Sequence, residues 1–366
     1  MKLTSVQILR AVAANAVVMS HITAFERAYA GPDRYLQSWY YGAAGVDLFF
    51  VISGFLMVAI ASDETPLSFL WKRFSRIYPT YWVATAAFLW FSSYYPGLIE
   101  PRLPESESTL RTVFLIPIWG DNIIPIAWTL IFEVWFYLVF ALVLALRANI
   151  WKAMAAWVAV LSFLLARGSP FHIPLYHTSS FLGVEFIMGM FAGMLWKRGV
   201  SRFALPALVI GVGLMAVSVF YWAPTFNIGK LLTYQNWRVL FFGVPAVLIL
   251  YGSIGLEQYA RRLPRILVAL GNASYSTYLF HLIVLFVVSD LVRRSGWFSG
   301  WMDNTAIVVL GLAASNAVAY LIYRCFERPI MSISRIIESA TKRAIDAGPI
   351  RLPSQQPPAA SDNNHI

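Results

Sequence analysis

The residues with the clearest chemical potential in this sequence are ionisable side chains that interrupt strongly apolar stretches. Arg10 and His21 share the first stretch, and Asp47 and Glu133 each lie in a later one. If such a stretch crosses a membrane, an ionisable side chain within it is costly and requires a structural or chemical reason. These four residues are therefore the first candidates for a site inside a membrane.

Arg10 and His21 are eleven residues apart, which places them on one face of a helix, separated by roughly 16 Å along its axis. The imidazole of His21 suits general acid–base chemistry near neutral pH. A hydrogen-bonded packing histidine would look the same in a sequence. Arg10 could equally extend toward the lipid headgroups.

The sequence leaves more than one role open for each of the two carboxylates. Asp47 lies among glycines that permit close helix contact, and it could pair with Arg10, orient His21 or form a purely structural ion pair. Glu133 belongs to a polar stripe at spacing i, i+4, which serves either a site or a hydrogen bond between helices. The stripe consists of Thr129, Glu133 and Tyr137.

A second polar stripe lies in a later apolar stretch, and a cluster of cations precedes an earlier one. The stripe consists of Ser274, Thr277, Tyr278 and His281, and it either lines a cavity or packs against another stripe. The cluster consists of Lys72, Arg73 and Arg76. Arginine binds phosphates bidentately, so the cluster suits a polyphosphate, although ordinary positive charge on a cytoplasmic loop has the same pattern.

Composition determines the class of protein that must position these residues. Of 366 residues, 59% are apolar and 13% charged, against roughly 25% charged in soluble domains. Disordered, collagen-like and disulfide-scaffold classes are excluded, and the single cysteine allows neither an intramolecular disulfide nor a cysteine-rich metal cluster. Runs of about 20 apolar residues predict an all-α polytopic integral membrane protein with about ten transmembrane helices and no soluble domain. The predicted spans are 5–24, 41–61, 79–95, 125–146, 152–166, 179–196, 204–222, 236–252, 270–290 and 304–325.

The distribution of lysine and arginine predicts the orientation. With the N-terminus inside, 18 of these residues fall on cytoplasmic segments and 8 on outer segments, including the long outer loop 96–125. Both termini are then cytoplasmic, and the net charge of +10 requires no nucleic acid. Residues 1–330 are predicted to form one membrane-embedded domain. The cytoplasmic tail 331–366 begins with a basic amphipathic stretch, 334–347, and ends in a disordered segment, 353–366.

Together these residues indicate a function more specifically than any one of them does alone. Cations at a cytoplasmic mouth, a deeper histidine and two buried carboxylates suit an anionic donor that enters from the cytosol and presents its reactive end to a base. The same set also suits a proton-coupled transporter. No internal repeat of the kind found in many transporters is detectable.

The order and spacing of these motifs resemble the membrane-bound acyltransferase-3 family from residue 4 to about residue 330. Within that family the chain is most similar to exopolysaccharide O-acetyltransferases of the succinoglycan type. The matching motifs are Arg10 to His21, the glycine segment 45–54, Arg73 to Arg76, Trp128 to Tyr137, Ser274 to His281, and Phe326-Glu327-Arg328-Pro329.

The resemblance implies ten helices in a bacterial inner membrane and O-acetylation of a sugar in an exopolysaccharide or its lipid-linked precursor. The donor would be cytosolic acetyl-CoA, with no permanently bound cofactor and no metal. Expected partners are acyl-CoA, the glycan acceptor, membrane lipid and glycan assembly machinery. The expected catalytic residues are His21, Asp47 and Glu133, and the expected donor-binding residues are Arg10, Arg73 and Arg76. Secondary candidates are Ser274, Tyr278 and His281.

The sequence departs from the family pattern in two places. Many members have two adjacent acids in the fourth span, whereas here Val134 follows Glu133. The soluble esterase-like domain of some members is absent, so the membrane part or a partner must meet the acceptor. The competing hypotheses are a transporter or flippase of a glycan-related substrate that uses the buried His, Asp and Glu, and a structural scaffold in polysaccharide export.

Overall fold

The computed structural model describes residues 3–29, 34–95, 106–116, 122–166, 181–222, 235–259, 264–297 and 301–346. Across these ranges the chain is helical and contains no β-strand. The helices are α1 (Thr4–Tyr29), α2 (Gly45–Ala59), α3 (Pro66–Tyr94), α4 (Ser106–Val113), α5 (Trp128–Ala145), α6 (Ile150–Ala166), α7 (Leu182–Lys197), α8 (Ala204–Val217), α9 (Val244–Leu256), α10 (Arg265–Asn272), α11 (Ser274–Ser295), α12 (Trp301–Ile322) and α13 (Arg328–Asp346). The predicted disordered segment 353–366 lies outside the described residues.

The described part of the chain contains seven helical stretches that are long and apolar enough to cross a membrane. The all-α membrane class is thereby confirmed, whereas the count of ten spans stays a prediction. The other three predicted spans are also helical and correspond to α3, α6 and α7. Helix α7 has 16 residues and is therefore roughly 24 Å long, short of the ~30 Å of a bilayer core.

The expectation that glycines permit close helix approach is confirmed between α2 and α7. A Cβ built on Gly54 would lie 2.0 Å from the carbonyl oxygen of Phe186, and one on Gly189 would lie 2.0 Å from that of Val51. Gly45 makes the same kind of contact with Ala13 of α1. Because the backbone of α2 contacts the backbones of both α1 and α7, polar side chains of these helices are brought close together.

Part of the predicted outer loop folds back against the middle of α3. The hydroxyls of Tyr78 and Tyr81 donate to the carbonyls of Phe114 and Thr112, at 2.9 and 2.8 Å, and the indole of Trp82 donates to that of Val113 at 2.9 Å. These carbonyls lie at the end of α4, where a helix leaves its last acceptors unsatisfied. Aromatic donors from α3 therefore permit this helix end to be packed against the bundle.

The last two helices, α12 and α13, form one continuous rod. The π-helical turn Tyr323–Glu327 joins them. Pro329, which lacks an N–H and cannot complete a regular helical ladder, follows two residues later. Helix α13 docks on the start of α3, where Lys72 bridges Glu64 at 2.8 Å and Glu338 at 3.2 Å. The predicted domain boundary after residue 330 therefore falls inside a helix.

The glycine contact between α2 and α7 predicts a large difference between two Gly→Ala substitutions. Gly54→Ala should lower the free energy of unfolding by about 1–3 kcal/mol, because the methyl group meets backbone that must move. Gly213→Ala is the matched control, since a Cβ there meets nothing within 4 Å. It should be neutral or stabilising by up to about 1 kcal/mol. Unfolding of the purified protein in detergent measures both, and equal stability of the two variants would contradict the close packing.

Candidate active site

One cavity gathers most of the predicted site residues. It has roughly 720 Å³ of space between its walls, mouth included, and it lies between α1, α2, α3, α5 and α11. The polar residues that line it are Arg10, Ser53, Arg73, Arg76, Thr129, Glu133, Tyr137, Tyr275 and Tyr278. The two arginines of the cation cluster and the fourth-span stripe, predicted separately, thus face the same space.

The three arginines of the cavity have no partner among the described residues. Arg10 is only 8% exposed, yet its guanidinium makes neither a hydrogen bond nor an ion pair there. Arg73 lies over the rings of Phe69 and Tyr137, 5.2 Å from each centroid, and its Nε is buried without a hydrogen-bond partner. Because a buried unpaired cation is costly, this wall of the cavity is suited to an anion.

Glu133 is held by neighbours on two helices. It accepts a hydrogen bond from Ser53 of α2 at 2.8 Å and a second one from the hydroxyl of Tyr137, one turn along α5. Glu133 lines the same cavity as Arg10, Arg73 and Arg76. It forms no ion pair with them among the described residues.

Tyr278 also lines the cavity. Its hydroxyl donates to the carbonyl of Ile126 at 3.0 Å and lies 2.6 Å from the hydroxyl of Thr129. The centroid of its ring is 6.1 Å from that of His281, one turn further along α11. Tyr278 therefore lies between the space lined by the arginines and a pair of histidines.

That pair consists of His21 and His281. Nδ1 of His21 lies 3.2 Å from Nε2 of His281, and the ring centroids are 4.9 Å apart. His21 is half-buried, whereas His281 is completely buried. The secondary candidate is therefore in direct contact with the residue predicted to be the base. The sequence does not reveal this contact, because the two residues are 260 positions apart.

Asp47 lies outside the cavity, in a buried ion pair. Its carboxylate pairs with Arg238 at 2.6 Å, with both side chains almost fully buried, and it contacts neither His21 nor Arg10. Arg238 also donates to the carbonyl of Ala43 at 3.0 Å. The completely buried Glu185 lies beside this pair and interacts with Asp47. Of the three interpretations left open by the sequence, the structure matches a structural ion pair.

Sequence reasoning missed three buried ionisable residues. Glu185 and Arg238 lie inside the predicted spans 179–196 and 236–252, so the rule that identified Glu133 applied to them as well. Glu327 accepts a hydrogen bond from Ser276 at 2.6 Å and was noted only as part of a motif. The remaining secondary candidate, Ser274, is buried at the start of α11, and its hydroxyl has no hydrogen-bond partner.

The fold and site define a helical membrane protein with a cavity lined by three arginines, close to a histidine pair. Residues 3–324 match the acyltransferase domain of the acyltransferase-3 family, and the chain belongs to that family. It is therefore an acyl-transferring enzyme. The predicted resemblance is confirmed.

The chain is similar to two named relatives over most of its length. The chain is 32% identical over 309 residues to the exopolysaccharide production protein ExoZ of Rhizobium meliloti (strain 1021), covering 80% of this chain and 91% of that protein. It is 26% identical over 349 residues to the acyltransferase MdmB of Streptomyces mycarofaciens, covering 84% and 86% of the two chains. No solved structure matches the chain.

The Asp47–Arg238 ion pair predicts non-additive effects on stability. Asp47→Ala or Arg238→Ala should each destabilise the protein by about 3–5 kcal/mol, because each leaves an uncompensated buried charge. The double variant should cost clearly less than the sum. Asp290→Ala is the control, because its partner Arg294 is 70% exposed, and it should cost at most about 1 kcal/mol. Unfolding in detergent measures all four variants, and additive losses would contradict a mutual ion pair.

Proposed function

We propose that the protein transfers an acetyl group from acetyl-CoA to a sugar hydroxyl of an exopolysaccharide or of its lipid-linked precursor. The observation that carries this proposal is the cavity with three unpaired arginines, next to Tyr278 and the histidine pair. The phosphates of coenzyme A are anions that arginine binds bidentately. The similarity to the exopolysaccharide production protein supports the choice of a glycan acceptor.

The geometry of α1 accounts for the reach of the donor. Arg10 and His21 lie on this one helix, which places them roughly 16 Å apart along its axis. With the phosphates at Arg73 and Arg76, the extended pantetheine arm can carry the thioester toward His21. The reacting groups then meet at the histidine, away from the bulk of the donor.

The chemical step is a direct transfer with His21 as general base. Nδ1 of His21 lies 3.0 Å from the carbonyl of Val17 and therefore carries a hydrogen, which leaves Nε2 as the basic nitrogen. Nε2 accepts the proton of the sugar hydroxyl as its oxygen attacks the thioester carbonyl. The C–S bond breaks, and the coenzyme A thiolate leaves with the proton returned by His21. The products are the acetylated sugar and free coenzyme A.

We also propose an inner-membrane location with both termini in the cytosol. The charge distribution supports the orientation. Three contacts agree with the predicted topology, because each joins two segments that it assigns to the same side. The N–H of Thr4 donates to Glu257 at 2.5 Å, Lys197 pairs with Asp63 at 3.0 Å, and Lys72 joins the start of α3 to Glu338. If the predicted topology were wrong by an odd number of spans between two paired segments, the paired residues would lie on opposite sides of the membrane.

Substitution of the cavity arginines should weaken donor binding. Arg73→Ala and Arg76→Ala are each expected to raise the KM for acetyl-CoA at least about tenfold, because a charge-assisted hydrogen bond to phosphate contributes about 1.5–3 kcal/mol. Lysine should restore only part of this loss, since it binds as a point charge. Lys72→Ala is the matched control, because Lys72 pairs with Glu64 and Glu338 and does not line the cavity. Steady-state kinetics in purified membranes measure the effect.

An unchanged KM for acetyl-CoA in the double Arg73→Ala, Arg76→Ala variant would remove these residues from donor binding. Equal effects of Lys72→Ala and the arginine substitutions would instead indicate that the cations act only through the charge of the cytoplasmic side.

Substitution of His21 should abolish transfer. His21→Gln retains hydrogen bonding but cannot accept a proton, so radiolabelled acetyl transfer to extracted glycan should fall by about 10²–10⁴-fold. Protein level and membrane insertion should be unchanged. Residual transfer above about a tenth of the wild-type rate would contradict the role of base. Absence of acetyl transfer by the wild-type protein, with transport of a glycan-related substrate instead, would favour the transporter hypothesis.

A further inference from the structure

The hydrogen bonds of His281 determine which of its ring nitrogens carries a hydrogen. Nδ1 lies 2.7 Å from the carbonyl oxygen of Tyr278 and 3.2 Å from that of Thr277. Carbonyl oxygens only accept, so Nδ1 must donate to them. In the neutral ring Nε2 is then unprotonated, and its lone pair points at His21.

His21 has the complementary arrangement. Its Nδ1 faces two acceptors, the carbonyl of Val17 at 3.0 Å and Nε2 of His281 at 3.2 Å. One N–H shared between two acceptors satisfies both distances. Nε2 of His21 makes no hydrogen bond to any described residue.

We propose that His281 is the positioning residue of the acyl transfer, a role that rests on the proposed function. Its neutral Nε2 accepts the Nδ1–H of His21, holds that ring with its basic nitrogen free, and stabilises the imidazolium that forms when His21 takes the proton of the acceptor. In Ser-His-Asp triads the corresponding place is occupied by a carboxylate. Here an imidazole occupies it.

The described carboxylates near the site have other partners. Asp47 pairs with Arg238, Glu133 accepts from Ser53 and Tyr137, and Glu327 accepts from Ser276. None of them bonds to His21. A neutral acceptor also avoids placing a further charge in the apolar interior, where an ionised group costs several kcal/mol. The imidazole of His281 is thus the acceptor that the described structure supplies.

Helix α11 fixes His281 in place. The ring is tied to two carbonyls of its own helix. The helix is tied to its neighbours on the two preceding turns, because Tyr275 donates to Ile77 at 2.8 Å and Tyr278 donates to Ile126 at 3.0 Å. A histidine held on a rigid element is suited to orient a second one, which is half-buried and carried by another helix.

Two substitutions of His281 separate orientation from packing. His281→Leu fills the space but removes the acceptor, and kcat should fall about 10–100-fold, as when the partner that orients a functional histidine is lost. His281→Gln can present an amide oxygen to Nδ1 of His21. It should restore at least a third of the decrease in log kcat that His281→Leu causes. The KM for acetyl-CoA should change by less than about twofold in both variants, because the arginine wall is untouched.

The controls are chosen so that failure of this inference differs from failure of the proposed function. Leu282→Met, a volume-conserving change of a buried neighbour, should keep the wild-type kcat. All rates are referred to folded protein by size-exclusion chromatography in detergent. Absence of acetyl transfer by the wild-type protein would refute the proposed function itself. Wild-type turnover by His281→Leu, or equal loss in the leucine and glutamine variants, would overturn the positioning role while leaving the proposed function intact.

Discussion

The cost of holding charge inside an apolar helical bundle governs the arrangement of this protein. Most of its buried ionisable groups are neutralised or hydrogen-bonded by partners on other helices, as Asp47 is by Arg238 and Glu327 by Ser276. Among the described residues, Glu185 and the arginines of the cavity lack such a bond, and the three arginines line the same space. Because an unpaired cation is expensive in an apolar interior, such a group of arginines is suited to an anion.

Close backbone packing gives that cavity its geometry. Glycines on α2 and α7 allow their backbones to touch, and Gly45 brings α2 onto α1 in the same way. Helix α1 therefore lies against the helices that complete the site and carries both Arg10 and His21 along a single rigid axis. The separation between Arg10 and His21 is set by the rise of this helix rather than by a loop.

The single acid of the fourth-span motif also has a structural explanation. Glu133 faces the cavity, whereas Val134 is buried in the largest apolar cluster of the bundle. An acid at position 134 would lie within that packed core, so one carboxylate serves the cavity here. Glu133 is bonded to Ser53 and Tyr137 and not to His21. The titratable group in contact with His21 is His281.

The sequence by itself determined the features that depend on neighbours along one helix. The membrane class, the shared face of Arg10 and His21 and the stripe around Glu133 follow from composition and a period of 3.6 residues. Only the tertiary structure decided which faces meet. Asp47 and Arg238 are 191 positions apart, and the two histidines 260, and nothing in local periodicity couples such positions. The choice of partners is made when helices pack, because buried charges and glycine surfaces admit few arrangements at once.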